Sequence, residues 1–117
     1  MSYDLAVWQG EAPSTYRQAA KEHDRLFEVY LDGEELSPIA PEIAKFLNIL
    51  TDRWPDKNTG DETPWASTPL SASASGPYVY LTISWGSADA TSAYVAEVAN
   101  NLGLICLDPQ MKTLRAH

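Results

Sequence analysis

Between two tryptophans the chain carries "WPDKNTGDETPW" (54–65), which crowds Asp56, Asn58, Gly60, Asp61 and Glu62 into one stretch. Oxygen side chains alternating around a glycine suggest calcium. A loop of the EF-hand kind needs oxygen ligands at its first, third and fifth positions, glycine at the sixth and a bidentate glutamate at the twelfth. Counted from Asp56, Asn58 holds the third place, but Gly60 falls on the fifth, Asp61 on the sixth and Ser67 on the twelfth. The glycine comes one place early and the closing carboxylate is missing, so no metal is expected. Asn58-Thr59-Gly60 reads instead as turn chemistry, with Gly60 taking positive φ.

Other chemistry is sparse. The single cysteine, Cys106, could pair with His23 or His117 as a thiol nucleophile. It sits in the apolar run "LICL", however, where burial raises a thiol pKa and makes it inert, and His23 falls on the apolar side of a helical pattern. "SASASGP" has neither the lysine nor the spacing of a phosphate-binding loop. Two histidines and one cysteine are too few for a structural zinc site. No pair of carboxylates stands out for acid–base work, although Asp4 lies inside an expected central strand. We therefore expect no catalytic residue, metal or cofactor, and a protein that is not an enzyme.

Aromatic residues carry more information. Of the four tryptophans, Trp54 and Trp65 flank the acidic stretch. Trp54 continues a helical apolar stripe and suits the core, whereas Trp65, in a loop, is less obliged to be buried. Aromatic anchors ringed by charge are what protein-binding surfaces use, with carboxylates providing steering. A second acidic cluster, Asp32, Glu34 and Glu35, lies between the first two helices. The expected partner-binding set is thus Trp54, Asp56, Asp61, Glu62, Trp65, Asp32, Glu34 and Glu35.

These residues belong to a chain of 117, enough for one domain with its own core, taken as 1–117. Sixteen acidic against eight basic residues give a formal net charge of −8. Such a surface repels the phosphate backbone, which argues against nucleic acid and tilts any macromolecular partner toward a basic protein. No apolar run approaches the ~20 residues of a membrane-spanning helix. "MSYDLAVWQGEAP" lacks the features of a signal peptide, and a lone cysteine suits a reducing compartment, so a cytoplasmic location is expected.

The positioning elements follow from periodicity. Residues 3–8, "YDLAVW", alternate as a strand, and Ser14 is placed to cap a helix in which Tyr16, Ala20, His23, Phe27 and Tyr30 share a face. Ser37-Pro38 or Pro41 opens a second helix, whose stripe is Ile39, Ile43, Phe46, Leu47, Leu50 and Trp54. "LSASA" (70–74) is a weak strand and "YVYLTISW" (78–85) a strong one, with Val79, Leu81, Ile83 and Trp85 on one side. Residues 86–103 form a helix started by Ser87 or Asp89 and closed by Gly103, and "LICLD" (104–108) is a last strand. The tail is expected to be partly ordered at most.

The order β-α-α-β-β-α-β becomes a split βαβ, ferredoxin-like arrangement once one helix is removed. The expected fold is α+β, a four-stranded antiparallel-rich sheet with 3–8 and 78–85 adjacent at its centre, helices on one face and one extra helix. Two antiparallel helices in place of one would deliver the chain to the wrong end of the sheet. The 53–69 loop, at roughly 3.3 Å per residue, is long enough to run back and repair this.

"MSYDLAVWQGEAP", "PWASTPL" and "GLICLDPQ" resemble a loose group of small bacterial proteins, frequent in actinobacteria, across most of the chain. That resemblance implies no catalytic residue. Small acidic proteins of this kind are often immunity proteins, which neutralise a toxin domain, and that is the expected function by analogy of size and charge. The alternative is a small enzyme or small-ligand binder with a pocket between sheet and helices.

Overall fold

The computed structural model describes residues 2–11, 13–32, 37–55, 64–66 and 69–114. Strand β1 (Ser2–Trp8) lies at the sheet centre and pairs antiparallel along its length with β3 (Tyr78–Ser84), from Ser2 opposite Ser84 to Trp8 opposite Tyr78. Helix α1 (Tyr16–Leu26) is capped by Thr15, whose hydroxyl accepts from the Gln18 amide, rather than by Ser14. It continues into a π-helical turn, Phe27–Leu31, closed by the Asp32 amide donating to the Phe27 carbonyl. Helix α2 (Pro41–Arg53) opens on proline, whose missing N–H costs nothing in the first turn. Helix α3 (Ala88–Asn101) follows a 3-10 turn over Trp85–Ser87.

Among the described residues the sheet is wholly antiparallel with five strands in the order β2-β3-β1-β4-β5, where β2 is Ala74–Ser75, β4 is Ile105–Asp108 and β5 is Thr113–Leu114. The expected count of four is corrected to five, because the tail pairs Leu107 with Leu114 and Asp108 with Thr113. The expected weak strand over 70–74 shrinks to its last residues, since Leu70–Ser73 coils into a 3-10 turn.

Helices on one face is a second correction. Tyr3, Leu5 and Val7 of β1, with Val79, Leu81 and Ile83 of β3, join the buried residues of α2 and α3 in one core. Ala6, Trp8 and Tyr78 point the other way, into a smaller core with Ala19 and Leu26 of α1. Both sides of the central strands are apolar, so both take a helix layer. The expected α2 stripe holds: Ile43, Phe46, Leu47 and Leu50 are all buried.

The direction problem is solved at the β2–β3 turn. Gln9 at the end of β1 donates to the Pro77 carbonyl, and Ala40, just before α2, donates to the Gly76 carbonyl. Helix α2 therefore starts at the end of the sheet where β1 stops, and α1 makes no net traverse. After α2, residues 64–66 lie against the outer edge of β3 at its far end: Ser84 donates to the Pro64 carbonyl and Ala66 to that of Thr82. The 3-10 turn Leu70–Ser73 also lies beside β3 and leads into β2.

Candidate interaction surface

At the bottom of the sheet, β3 gives way to the turn before α3 and exposes an aromatic ring. Trp85 is 53% exposed, against 9% for Tyr3 beside it, and the two ring centroids lie 5.8 Å apart at 43°. Tyr3, Trp85, Gly86, Ala88, Asp89 and Ala90 line a recess of about 350 Å³. Asp89 is exposed in the first turn of α3, where a carboxylate also complements the positive helix end.

The floor of this recess is held from behind. The Tyr3 hydroxyl donates to the carboxylate of Asp108, which is fully buried. The same carboxylate accepts from Gln110 Nε2 and from the Met111 amide, both at 3.0 Å. A buried polar group is tolerated when it is hydrogen-bonded in this way. Met111 itself is 63% exposed.

A second cluster lies on the α1 side. His23 stacks on Trp8, Tyr78 and Tyr80, with centroids 6.4, 5.7 and 5.9 Å away, and meets the edge of Phe27. The Tyr78 hydroxyl is 2.8 Å from His23 Nδ1, and the Tyr80 hydroxyl donates to Asp4 at 2.7 Å. Desolvation pushes both phenols well above their usual pKa, with the bond to Asp4 adding to the rise at Tyr80. Desolvation lowers the His23 pKa, against a weaker opposing pull from Asp24. Asp4 thus faces α1 as a hydrogen-bond acceptor, and His23 is packed rather than presented.

Of the expected partner-binding residues, Trp54 and Trp65 are brought together, their rings 5.9 Å apart and edge to face. Trp65 is not an exposed anchor: it is 3% exposed, forms a bridge with Ile83, and donates from Nε1 to the Trp54 carbonyl at 2.8 Å. The backbone bonds of Pro64 and Ala66 to β3 force the intervening side chain into the core. Trp54 is half-buried, with the Arg53 guanidinium 4.8 Å over its ring and Tyr94 packed edge-on. Asp32 is exposed at the end of the π turn, on the element that covers the opposite sheet face. Asp56, Asp61, Glu62, Glu34 and Glu35 lie outside the described residues.

The alternation expected over 78–85 put Trp85 on the same side as Val79, Leu81 and Ile83. The strand ends at Ser84, and the 3-10 turn rotates Trp85 out of that register. Gly86 and Ser87 behind it are the signal that the alternation stops one residue sooner. Among the described residues no group of three or more His, Cys, Asp or Glu is placed to hold a metal, and no helix is long and apolar enough to cross a membrane. Comparison of the chain with protein-family profiles, curated proteins and solved structures found no match.

Proposed function

We propose that this chain is a non-enzymatic protein-binding protein, most concretely an immunity protein that occludes a toxin domain acting in the cytoplasm. The observation that carries the reading is Trp85, a tryptophan 53% exposed beside an exposed carboxylate in a chain of net charge −8. Exposed tryptophan is the residue type that most often anchors an interface, while surrounding charge speeds encounter with an oppositely charged partner. The anchor is thus Trp85 in place of Trp65, and the carboxylates of 56–62 and 32–35 act as the steering field.

The frame behind this surface we infer to be ferredoxin-like. The order β2-β3-β1-β4 with α2 and α3 on one face supports a split βαβ unit, to which α1 is added on the other face and β5 at the edge. The alternative, a small enzyme or ligand binder, would rest on the His23 array, but the imidazole is already stacked among Trp8, Tyr78 and Tyr80 with Nδ1 on the Tyr78 hydroxyl.

The test is co-expression with the basic product of an adjacent gene. The reading expects a stable complex and rescue of growth. It also expects Trp85→Ala to speed dissociation about tenfold, about 1.4 kcal/mol, with an unchanged melting temperature. A complex indifferent both to Trp85→Ala and to ionic strength would overturn it.

A further inference from the structure

We propose that the Tyr3–Trp85–Asp89 recess receives one arginine side chain of a basic protein partner, an inference that rests on the protein-binding reading above. At about 350 Å³ the recess is at the small end of ligand sites, suited to a single long side chain and not to a cofactor. Its wall is aromatic, with Trp85 exposed and tilted against Tyr3, and the indole is the best π surface for a cation. Among the described residues its one charged lining residue is Asp89. The end of α3 contributes roughly half a positive charge, which the full negative charge of Asp89 outweighs, so the recess is net negative.

These features discriminate among occupants. An anionic side chain meets Asp89 directly. An aliphatic one packs on Trp85 but leaves the carboxylate unmatched. A lysine supplies a point charge only, whereas the planar guanidinium of arginine stacks on a ring and offers a fork of donors to a carboxylate at the same time. The Tyr3 hydroxyl, turned back to Asp108, acts as a fixed support for the recess and keeps its ring in place.

The experiment is a titration of the ¹⁵N-labelled chain with acetyl-Gly-Arg-Gly-amide. It follows the Trp85 indole N–H, assigned by its loss in Trp85→Phe, and the amides of 86–90. Saturable millimolar binding confined to these signals is expected. It should weaken about threefold in Asp89→Asn, the scale of an exposed ion pair, and persist in Asp89→Glu. Citrulline in place of arginine should abolish it and lysine should weaken it. Shifts that are linear or spread over the surface, or equal affinity for the glutamate or lysine peptide, would overturn the proposal, as would unchanged affinity in Asp89→Asn. The arginine fails separately from the protein-binding reading: a partner complex sensitive to Trp85→Ala but not to Asp89→Asn removes the arginine and leaves the interface.

Discussion

His23 Nδ1 on α1 lies 2.8 Å from the Tyr78 hydroxyl on β3, and the two rings stack at 5.7 Å. This contact joins α1 to the sheet face opposite α2 and α3. It joins them through a titratable group, so the attachment of one helix layer depends on pH.

The sign follows from the depressed His23 pKa, whose leading cause is desolvation. In the unfolded chain the imidazole titrates near ~6.5, so below that pH the unfolded state binds more protons than the folded one. Stability is full above about pH 6.5 and falls as pH drops through the window below it. Glu22 is also lowered, first by its hydrogen bond with Arg25, but from 4.5, so its loss begins in a more acidic range. Urea melts at about pH 7.5 and 5.5 should show wild type losing stability and His23→Gln losing less. Equal losses would mean that His23 is solvated in solution.

Gly76 turns β2 into β3 with φ at +55°, and an added Cβ would sit 2.7 Å from Cε1 of Tyr30. Gly76→Ala should therefore cost about 1–3 kcal/mol, part from left-handed backbone and part from displacing the ring. In a Tyr30→Ala background the cost should shrink by at least about 0.5 kcal/mol, because the two sites touch. Strict additivity in denaturant melts would refute the contact.

Trp65 is a core residue, and its substitution should be felt in stability before binding. Trp65→Ala should cost about 3–5 kcal/mol. Trp65→Phe removes the donor to the Trp54 carbonyl and should cost nearer 1 kcal/mol for that hydrogen bond. A Trp65→Ala protein as stable as wild type, yet slow to bind a partner, would restore it as an anchor.

What the amino-acid pattern reveals depends on how many faces an element buries. Helix α2 has one apolar stripe, and Ile43, Phe46, Leu47 and Leu50 could be read directly from it. Strands β1 and β3 alternate clearly enough to place them side by side. Their second faces, however, carry Ala6, Trp8, Tyr78 and Tyr80, rings that suit water or a core equally well, so the far-side position of α1 was not legible. The burial of Trp65 and the exposure of Trp85 were not legible for a related reason. Burial of each was decided by backbone pairing to β3 at Pro64–Ala66 and by its loss after Ser84. Side-chain type and spacing do not encode such long-range pairing.

Gln110 supplies the last prediction. Strand β4 pairs with β1 only at Ala6, Val7 and Trp8. Beyond that point the Gln110 amide acts as a strand residue would. Its Oε1 accepts from the Asp4 amide, and its Nε2 donates to the Asp4 carbonyl at 2.7 Å while also reaching Asp108. Gln110→Ala should cost about 1–2 kcal/mol, as two or three modest hydrogen bonds are lost. It should also raise hydrogen exchange at the Asp4 amide about tenfold or more. Gln110→Glu is the sharper test. Near pH 7 its carboxylate cannot donate and faces both the Asp4 carbonyl and the Asp108 carboxylate, so it should be at least as destabilising as alanine. Near pH 4 the protonated acid regains a donor and an acceptor in the amide's positions, and its deficit relative to wild type should narrow. A Gln110→Glu protein equal to wild type at neutral pH, with unchanged Asp4 exchange, would show that this edge of β1 needs no side-chain partner.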